Sequence, residues 1–220
     1  MGSTIYLVRH AESIHNVSKD LSHRDPPLTE LGRAQASTLG TSFPHLASVA
    51  VVLTSPLTRT LETTLAAFGH ILDKQFIGDD GIVGGAHLIL DPNLQERSAL
   101  PCDTGSDGAA LEGKFPNLDF GVLQDKWYAK VEANAADDAA VKIRAKIVRE
   151  RLYDLVEKLE RDGRAAGRKT AVVAVTHGVF MKILAEDEAI DLPKAGWKAY
   201  KVRKQEDGDV VLFPVEQGSI

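Results

Sequence analysis

Three continuous runs of apolar, largely β-branched residues constrain the fold of this chain more than any other feature. They cover residues 4–8, 49–54 and 170–176. Runs that do not alternate with polar residues are typical of strands buried on both faces of a parallel sheet. A fourth run, residues 209–215, predicts a late strand near a sheet edge, because Pro214 cannot donate a backbone hydrogen bond to a ladder.

Helical patterns fill the stretches between these runs. Residues 138–162 carry apolar side chains on one side and are followed by Gly163, which predicts the longest helix. Residues 29–42 are a weaker helical candidate, because two internal glycines lower the helix propensity of this stretch. A short apolar helix is expected at residues 179–184.

A further helix is predicted directly after the second apolar run. Ser55 is a candidate cap, Pro56 suits the first helical position, and Gly69 can end the helix. Between them an apolar stripe recurs at helical spacing, formed by Leu57, Leu61, Leu65 and Phe68. Strands alternating with helices predict an α/β fold with a mainly parallel central sheet flanked by helices. In such folds the ligand site lies at the carboxyl ends of the strands.

The charge balance limits the partners of the protein. The chain has 220 residues, with 26 Lys plus Arg against 31 Asp plus Glu and a net charge of −5. This balance and the absence of a basic block argue against nucleic acid and anionic membrane, whose phosphates attract a concentrated positive face. Any anion that binds must be small and held locally. Because no linker interrupts residues 1–220, we expect a single domain.

The cysteine count and the apolar runs predict the compartment. Cys102 is the only cysteine, which excludes an intrachain disulfide and a cysteine-based zinc cluster, as expected in a reducing compartment. No apolar run approaches the roughly 20 residues that cross a bilayer. The opening run is too short for a secretory signal. We therefore expect a cytoplasmic protein, and the sequence leaves its oligomeric state open.

Each of the three apolar runs ends in unusual polar groups. Arg9 and His10 follow the first run, Ser55 and then Arg59 follow the second, and His177 follows the third. If these runs are adjacent parallel strands, their carboxyl ends meet at one edge of the sheet. The sequence therefore predicts that the polar groups converge at this edge.

Four ordered motifs resemble those of the histidine phosphatase superfamily, which includes cofactor-dependent phosphoglycerate mutases and the bisphosphatase domain acting on fructose 2,6-bisphosphate. The motifs are LVRHAES at residues 7–13 with Asn16, TSPLTRTLET at 54–63, NLQE at 93–96 and VTHG at 175–178. The resemblance extends from residue 5 to about residue 184. It implies a three-layer, phosphoglycerate mutase-like α/β fold and phosphoryl transfer on a small-molecule phosphomonoester, with no cofactor.

The resemblance assigns roles that suit the chemistry of these side chains. His10 would attack phosphorus and form a phosphohistidine, since a neutral imidazole is a good nucleophile near pH 7. Arg9 and Arg59 would hold the phosphoryl oxygens through paired charged hydrogen bonds. His177 would bind the phosphoryl group beside free N–H groups at a helix N-terminus, and Asn16 would add a hydrogen bond.

Arg59 carries a separate argument from the residues. It falls in the first turn of its predicted helix, where the helix dipole disfavours a cation by about 0.3–1 kcal/mol. An anion shared with the helix terminus would resolve this conflict. The alternative is a surface arginine paired with Glu12 or Glu62. We expect Glu12 to be a structural partner for an arginine rather than a catalytic residue.

A carboxyl group must protonate the leaving alkoxide and then activate water. Glu96 matches the acid position of the family, and Asp103 is its rival. Burial would raise the pKa of Glu96 and the arginines would lower it, so the sequence leaves the direction open. Nothing requires a metal, since the remaining histidines lack HxH or HExxH spacing. His15 and His23 follow the nucleophile and could contact substrate.

The region after Glu96 departs from the mutase pattern. Residues 97–125 hold five acidic residues against only Arg97 and Lys114, a poor balance for gripping a second phosphate or carboxylate. We therefore favour a phosphatase over a mutase. A catalytically silent phosphate-binding regulatory module on the same fold remains an alternative. Residues 97–130 are expected to form a lid or substrate-selecting insertion, although their aromatic residues could equally pack in the core.

Overall fold

A six-stranded sheet forms the centre of the computed structural model, which describes residues 3–163 and 169–215. The strands are β1 (Ile5–Arg9), β2 (Val49–Thr54), β3 (His87–Leu90), β4 (Ala171–Thr176), β5 (Trp197–Lys204) and β6 (Val210–Pro214). Their order is β3-β2-β4-β1-β5-β6. The first four in this order pair in parallel, and β5 and β6 pair antiparallel. The mainly parallel sheet predicted from the sequence is therefore confirmed.

The three apolar runs form the adjacent strands β1, β4 and β2. In the register, Arg9 pairs with Thr176 and Thr54 pairs with Val175, so the three strands end at the same level. The late run forms β6, at the edge of the sheet as predicted. Two strands were not predicted. β3 has only four residues, and the lysines within β5 interrupt any continuous apolar run.

Seven α-helices lie in the described ranges: α1 (Ile14–Ser18), α2 (Glu30–Ser42), α3 (Thr58–Phe68), α4 (Lys74–Ile77), α5 (Gly108–Lys114), α6 (Asp138–Gly163) and α7 (Gly178–Ala185). Within these ranges no helix combines the length and the apolar composition that a membrane span requires. The predicted start of α3 was wrong, since Leu57 rather than Ser55 is the residue before the helix. The hydroxyl of Ser55 instead lies 3.0 Å from Nε2 of His177.

The helices cover both faces of the sheet and make the fold three-layered. Alternate residues of β1 belong to different core clusters, with Tyr6 on one face and Leu7 on the other. On the Tyr6 face the strands pack against α2 and α3, and on the Leu7 face against α6 and α7. Burial of each strand on both faces explains why the apolar runs are continuous.

The glycines of α2 permit close approach rather than weakening the helix. A Cβ atom at position 40 would lie 2.5 Å from the carbonyl oxygen of Ala67 on α3. A Cβ atom at position 32 would lie 1.9 Å from the carbonyl oxygen of Glu12. Thr29 caps the helix by accepting a hydrogen bond from the N–H of Gly32. The packing of α2 against α3 therefore requires glycine at position 40.

We predict that Gly40→Ala destabilises the protein by about 1–3 kcal/mol, because the added methyl group would overlap buried backbone. Gly113→Ala is the matched control. Nothing lies within 4 Å of a Cβ at that position in α5, so alanine should be neutral or stabilise by up to about 1 kcal/mol. Urea unfolding of both variants measures the difference, and equal free energies of unfolding would contradict the packing argument.

Candidate active site

His10 and His177 meet at the carboxyl edge of the sheet. Each directly follows its strand, and the N–H of His10 donates to the carbonyl of Thr176 at 3.0 Å. The two rings are buried, with centroids 5.2 Å apart and planes inclined by 59°. The convergence expected from the parallel strands is therefore present in the structure.

The hydrogen bonds of His10 define which ring nitrogen carries the proton and which the lone pair. Nδ1 lies 2.6 Å from the carbonyl oxygen of Ala11. Because a carbonyl only accepts, Nδ1 carries the proton and Nε2 presents its lone pair. The Nε–H group of Arg59 donates to this Nε2 at 3.3 Å. Burial and then the charge of Arg59 hold the pKa of His10 well below its ordinary value of 6.5. The ring is therefore neutral near pH 7.

Arg59 lies in the first turn of α3, as predicted. The anion that compensates its charge, however, is a carboxylate of the protein itself. Its guanidinium is 1% exposed, forms an ion pair with Asp103 at 2.8 Å and donates to the carbonyl of Cys102 at 2.6 Å. The alternative pairing with Glu12 or Glu62 is wrong. These carboxylates accept hydrogen bonds from the Thr29 hydroxyl and the Leu28 N–H, respectively. The hydrogen bond from Thr29 to Glu12 also corrects the expectation that Glu12 pairs with an arginine.

Arg9 ends β1 and lies against the start of α7. Its guanidinium forms an ion pair with Asp191 at 3.1 Å and donates to the carbonyl of Leu192. A Cβ atom at position 178 would lie 3.1 Å from this guanidinium, so Gly178 leaves the space that it occupies. Its Nε has no hydrogen-bond partner within the described residues.

His177 is the residue before α7 and is fully buried. Its Nε2 lies 3.0 Å from the hydroxyl of Ser55, whereas its Nδ1 has no hydrogen-bond partner in the described part of the chain. Burial and then the charge of Arg59 hold the pKa of His177 well below its ordinary value of 6.5. His177 therefore presents one unsatisfied polar atom beside the nucleophile candidate.

The N–H groups at the start of α7 are occupied by Glu96. The N–H of Phe180 donates to its carboxylate at 2.8 Å and the N–H of Val179 at 3.2 Å. This corrects the expectation that these groups are free for phosphate. Burial, followed by the charge of Asp103, raises the pKa of Glu96 above its ordinary value of 4.5. The sequence left the direction of the Glu96 pKa shift open, and in the structure the pKa is raised.

Asp103 is engaged on both carboxylate oxygens. One oxygen binds Arg59, and the other accepts a hydrogen bond from the hydroxyl of Ser98 at 2.6 Å. The carboxylate therefore compensates the charge of the buried Arg59 guanidinium. This arrangement suits a structural anion better than a proton donor, which favours Glu96 over its rival.

A cavity of about 340 Å³ opens beside these groups. It is lined by five of the six residues that the sequence assigned to the site, which are Arg9, His10, Asn16, Arg59 and Glu96. The sixth, His177, is buried against His10 as described above. His15 also lines the cavity, with its ring centroid 6.4 Å from that of His10, whereas His23 is exposed and is not among the lining residues.

Asn16 is held in place by its own helix start. Its side-chain oxygen accepts hydrogen bonds from the N–H and the hydroxyl of Ser13, at 3.2 and 3.0 Å. Its amide nitrogen lies 3.0 Å from Nε2 of His15. With its oxygen engaged in this way, the amide N–H₂ group is the part of Asn16 that can donate to a ligand.

The structure also groups three side chains that sequence spacing did not connect. Donor atoms of His15, Cys102 and Asp103 lie within 4.8 Å of one another. A cation there would have to displace the ion pair of Asp103 with Arg59. Burial and then the charge of Asp103 raise the pKa of the Cys102 thiol to about 11, so the metal-binding thiolate is disfavoured. These residues therefore make a poor metal site.

Three basic residues near the site carry no signal in the sequence. Burial and then the charge of Arg9 lower the pKa of Lys194, which lines the cavity, to about 8. Lys130 donates to the carbonyl of Glu96 at 2.7 Å, and burial followed by the charge of Arg144 lowers its pKa to about 7. Arg144 is buried and donates to the carbonyl of Gln95. None of the three belongs to a recognisable motif, so no sequence signal identified them.

The segment after Glu96 both lines the cavity and packs in the core. Leu100 and Cys102 are lining residues. Phe120 and Trp127 are buried in the cluster on the Tyr6 face of the sheet. These aromatic residues therefore pack in the core, and the beginning of the segment forms part of the cavity wall.

Comparisons with known proteins identify the family and agree with the fold. The model of the histidine phosphatase superfamily, branch 1, matches residues 5–207. A probable phosphatase of Schizosaccharomyces pombe (strain 972 / ATCC 24843) is 30% identical over 201 residues, 87% of this chain and 83% of its own. Phosphoglycerate mutase-like protein 1 of Arabidopsis thaliana is 29% identical over 62% of this chain and 60% of its own. The structure of mycobacterial glucosyl-3-phosphoglycerate phosphatase with VO3 has a TM-score of 0.58 at 17% identity, with 98% of both chains covered.

We predict that the two buried rings make the protein sensitive to acid. Below pH about 6.5 the unfolded chain takes up a proton on each ring, and the folded chain does not until its much lower pKa is reached. Above pH 6.5 the two neutral rings therefore do not lower the free energy of unfolding. As the pH falls below 6.5, each ring lowers the free energy of unfolding by about 1.4 kcal/mol per pH unit.

Denaturant unfolding between pH 7.5 and 5 measures this loss. His177→Gln should reduce the slope by about 1.4 kcal/mol per pH unit. His70→Gln, at an exposed position, should leave the slope unchanged. Equal slopes for the wild type and His177→Gln would contradict the assignment of a neutral buried ring.

Proposed function

The chain belongs to the histidine phosphatase superfamily, and on this premise we propose that it is a metal-independent phosphomonoester hydrolase acting through a phosphohistidine on a small phosphorylated metabolite. Its family and its phosphatase-named relative support phosphatase activity. One observation carries the proposal: the lone pair of His10 Nε2 lies beside a cavity that also holds two guanidiniums and a buried carboxyl group.

In the first step His10 acts as the nucleophile. Its Nε2 attacks the phosphorus atom in line with the leaving oxygen, the N–P bond forms and the P–O bond breaks. The Nδ1–H bond to the Ala11 carbonyl orients the ring and stabilises the positive charge that develops on it. Glu96 gives its proton to the departing alkoxide, a role that its raised pKa supports.

Charge on the transferring phosphoryl group is met by fixed donors. Arg9 retains an unpartnered Nε–H, and Nδ1 of His177 is unpartnered as well within the described residues. Arg59 is held rigidly by Asp103 and reaches His10 Nε2, the atom that approaches phosphorus. Asn16 adds its amide N–H₂ group. Donors that are already oriented need no reorganisation when charge develops, which is the main source of catalysis in phosphoryl transfer.

In the second step Glu96 acts as a base. Its carboxylate removes a proton from water, the water oxygen attacks phosphorus, and the N–P bond breaks to return His10 to its neutral form. Inorganic phosphate is released and Glu96 is again protonated. One carboxyl group thus serves both steps, with no metal required.

A mutase is the second candidate, because a relative is named mutase-like. A mutase must hold a second anionic group of its substrate. The two basic residues between positions 97 and 125 do not supply this contact, because Arg97 pairs with Asp138 and Lys114 donates to Thr58. These contacts support hydrolysis over isomerisation. A mutase would interconvert phosphoglycerate isomers faster than it releases phosphate.

We predict that the protein hydrolyses an aryl phosphate in the presence of a chelator and that His10→Ala abolishes this turnover. The reason is that His15, the other imidazole in the described cavity lining, has both ring nitrogens engaged, by Ser13 and by Asn16. Release of aryl alcohol and of phosphate measures the reaction. Full activity in His10→Ala would exclude the mechanism, and phosphate binding without turnover by the wild type would favour a silent module.

We predict that Glu96→Gln separates the two steps. An aryl oxide leaves without a proton, so the first step should survive, whereas water activation should slow by about 10²–10⁴-fold. Stopped-flow measurement should show a burst of one aryl alcohol per enzyme, followed by slow turnover. Asp103→Asn is the comparison, and it should weaken the first step by releasing Arg59. A burst in Asp103→Asn and its absence in Glu96→Gln would reverse the assignment.

A further inference from the structure

Residues 191–196, here called the strap, lie across the end of β1. The carboxylate of Asp191 and the carbonyl of Leu192 both bind the Arg9 side chain. The N–H of Arg9 donates to the carbonyl of Gly196 at 2.9 Å. The N–H of Ala195 lies 3.4 Å from the carbonyl of His10. The strap is therefore fixed to two residues of the active site.

The strap holds one residue in an unfavourable backbone conformation. Ala195 has a φ of 58°, in the left-handed region that residues with a side chain rarely adopt. Such strain persists only where the surrounding contacts impose it, and it clusters at functional sites. Here those contacts hold the preceding residue, Lys194, at the cavity wall.

The charge balance of the cavity singles out Lys194. Arg9 is paired with Asp191 and Arg59 with Asp103, and the two imidazoles are neutral near pH 7. Lys182 also lines the cavity, but its ammonium donates to the carbonyl of Glu188 at an exposed position. Lys194 forms no hydrogen bond or ion pair with any described residue.

We propose that Lys194 binds the phosphoryl group of the substrate and supplies the uncompensated positive charge that its dianion requires. This inference rests on the proposed function. A phosphate monoester carries about −1.5 to −2 charges near pH 7, and the two neutralised guanidiniums offer it directed donors but little net charge. Lys194 would therefore favour dianionic phosphomonoesters over singly charged phosphodiesters.

The environment of Lys194 also makes the interaction dependent on pH. The titratable and charged groups that act on it come from five parts of the fold: β1 and the loop after it, α1, α3, the segment after β3 and the residue before α7. They are Arg9, His10, Glu12, His15, Arg59, Glu96 and His177. The charged side chains of Asp103, Lys182 and Asp191 line the same cavity. Burial and the neighbouring guanidiniums lower its pKa to about 8. Substrate affinity should therefore fall as the pH rises through about 8.

Steady-state hydrolysis of an aryl phosphate tests the proposal, with Lys194→Met, Lys194→Arg and a control. Loss of a hydrogen bond to a charged group predicts about a 10- to 100-fold decrease in kcat/KM for Lys194→Met. Lys194→Arg should recover most of this loss and remain active above pH 8. Lys198→Met is the control, because this lysine pairs with Asp187 outside the cavity, and it should stay within twofold of the wild type.

Two results would overturn the proposal. One is a kcat/KM of Lys194→Met within twofold of the wild type. The other is a loss that arginine does not recover and that accompanies a lowered melting temperature, since that pattern indicates a structural role.

Calorimetric binding of inorganic phosphate separates this inference from the proposed function. If the wild type binds phosphate without hydrolysing the ester, the proposed function fails, and Lys194 is then tested by binding alone. The inference predicts about a 10-fold or greater loss of phosphate affinity in Lys194→Met, and unchanged affinity would contradict it.

Discussion

The parallel hydrogen-bonded pairing of β1 with β4 is the constraint on which the candidate site depends. Because Arg9 lies opposite Thr176 in this ladder, the next residues, His10 and His177, leave the sheet side by side. Strand β2 pairs with the other edge of β4 and ends at the same level, which brings the start of α3 and its Arg59 to the same place. Residues far apart in the chain thus meet through backbone register, and a shift of one residue would move their side chains to the other face.

Electrostatics then determines which chemistry the candidate site can support. Burial keeps both imidazoles neutral, and each guanidinium has its own carboxylate partner. The ion pairs hold the donors rigidly without giving the cavity a large net positive charge. The carboxyl group of Glu96 accepts hydrogen bonds at the N-terminus of α7, and burial followed by the charge of Asp103 raises its pKa. A neutral nucleophile, oriented donors and a protonated acid are the requirements of phosphoryl transfer from a monoester.

The sequence predicted the parts of this fold that have strong local signals. Long apolar runs identified β1, β2 and β4, because double-sided burial leaves a pattern that needs no partner to be recognised. Helical stripes identified α2, α3, α6 and α7, whereas the short helices α1, α4 and α5 were not predicted. β3 was missed because four residues are too few to show periodicity. The pairing of Arg59 with Asp103 and the position of Lys194 could not be predicted, since both depend on loops whose path is set by tertiary contacts. Ser55 was misassigned as a helix cap because its hydroxyl suits either role, and only the fold places His177 beside it.

The Ala11 carbonyl fixes the proton of His10 on Nδ1, so in the proposed mechanism Nε2 is the atom that accepts the phosphoryl group. The most direct measurement is ³¹P NMR of the phosphoenzyme trapped at alkaline pH, combined with peptide mapping, because the two phosphohistidine isomers have different chemical shifts. We expect a single phosphoryl group on Nε2 of His10. A phosphoryl group on Nδ1, or on any other residue, would contradict it.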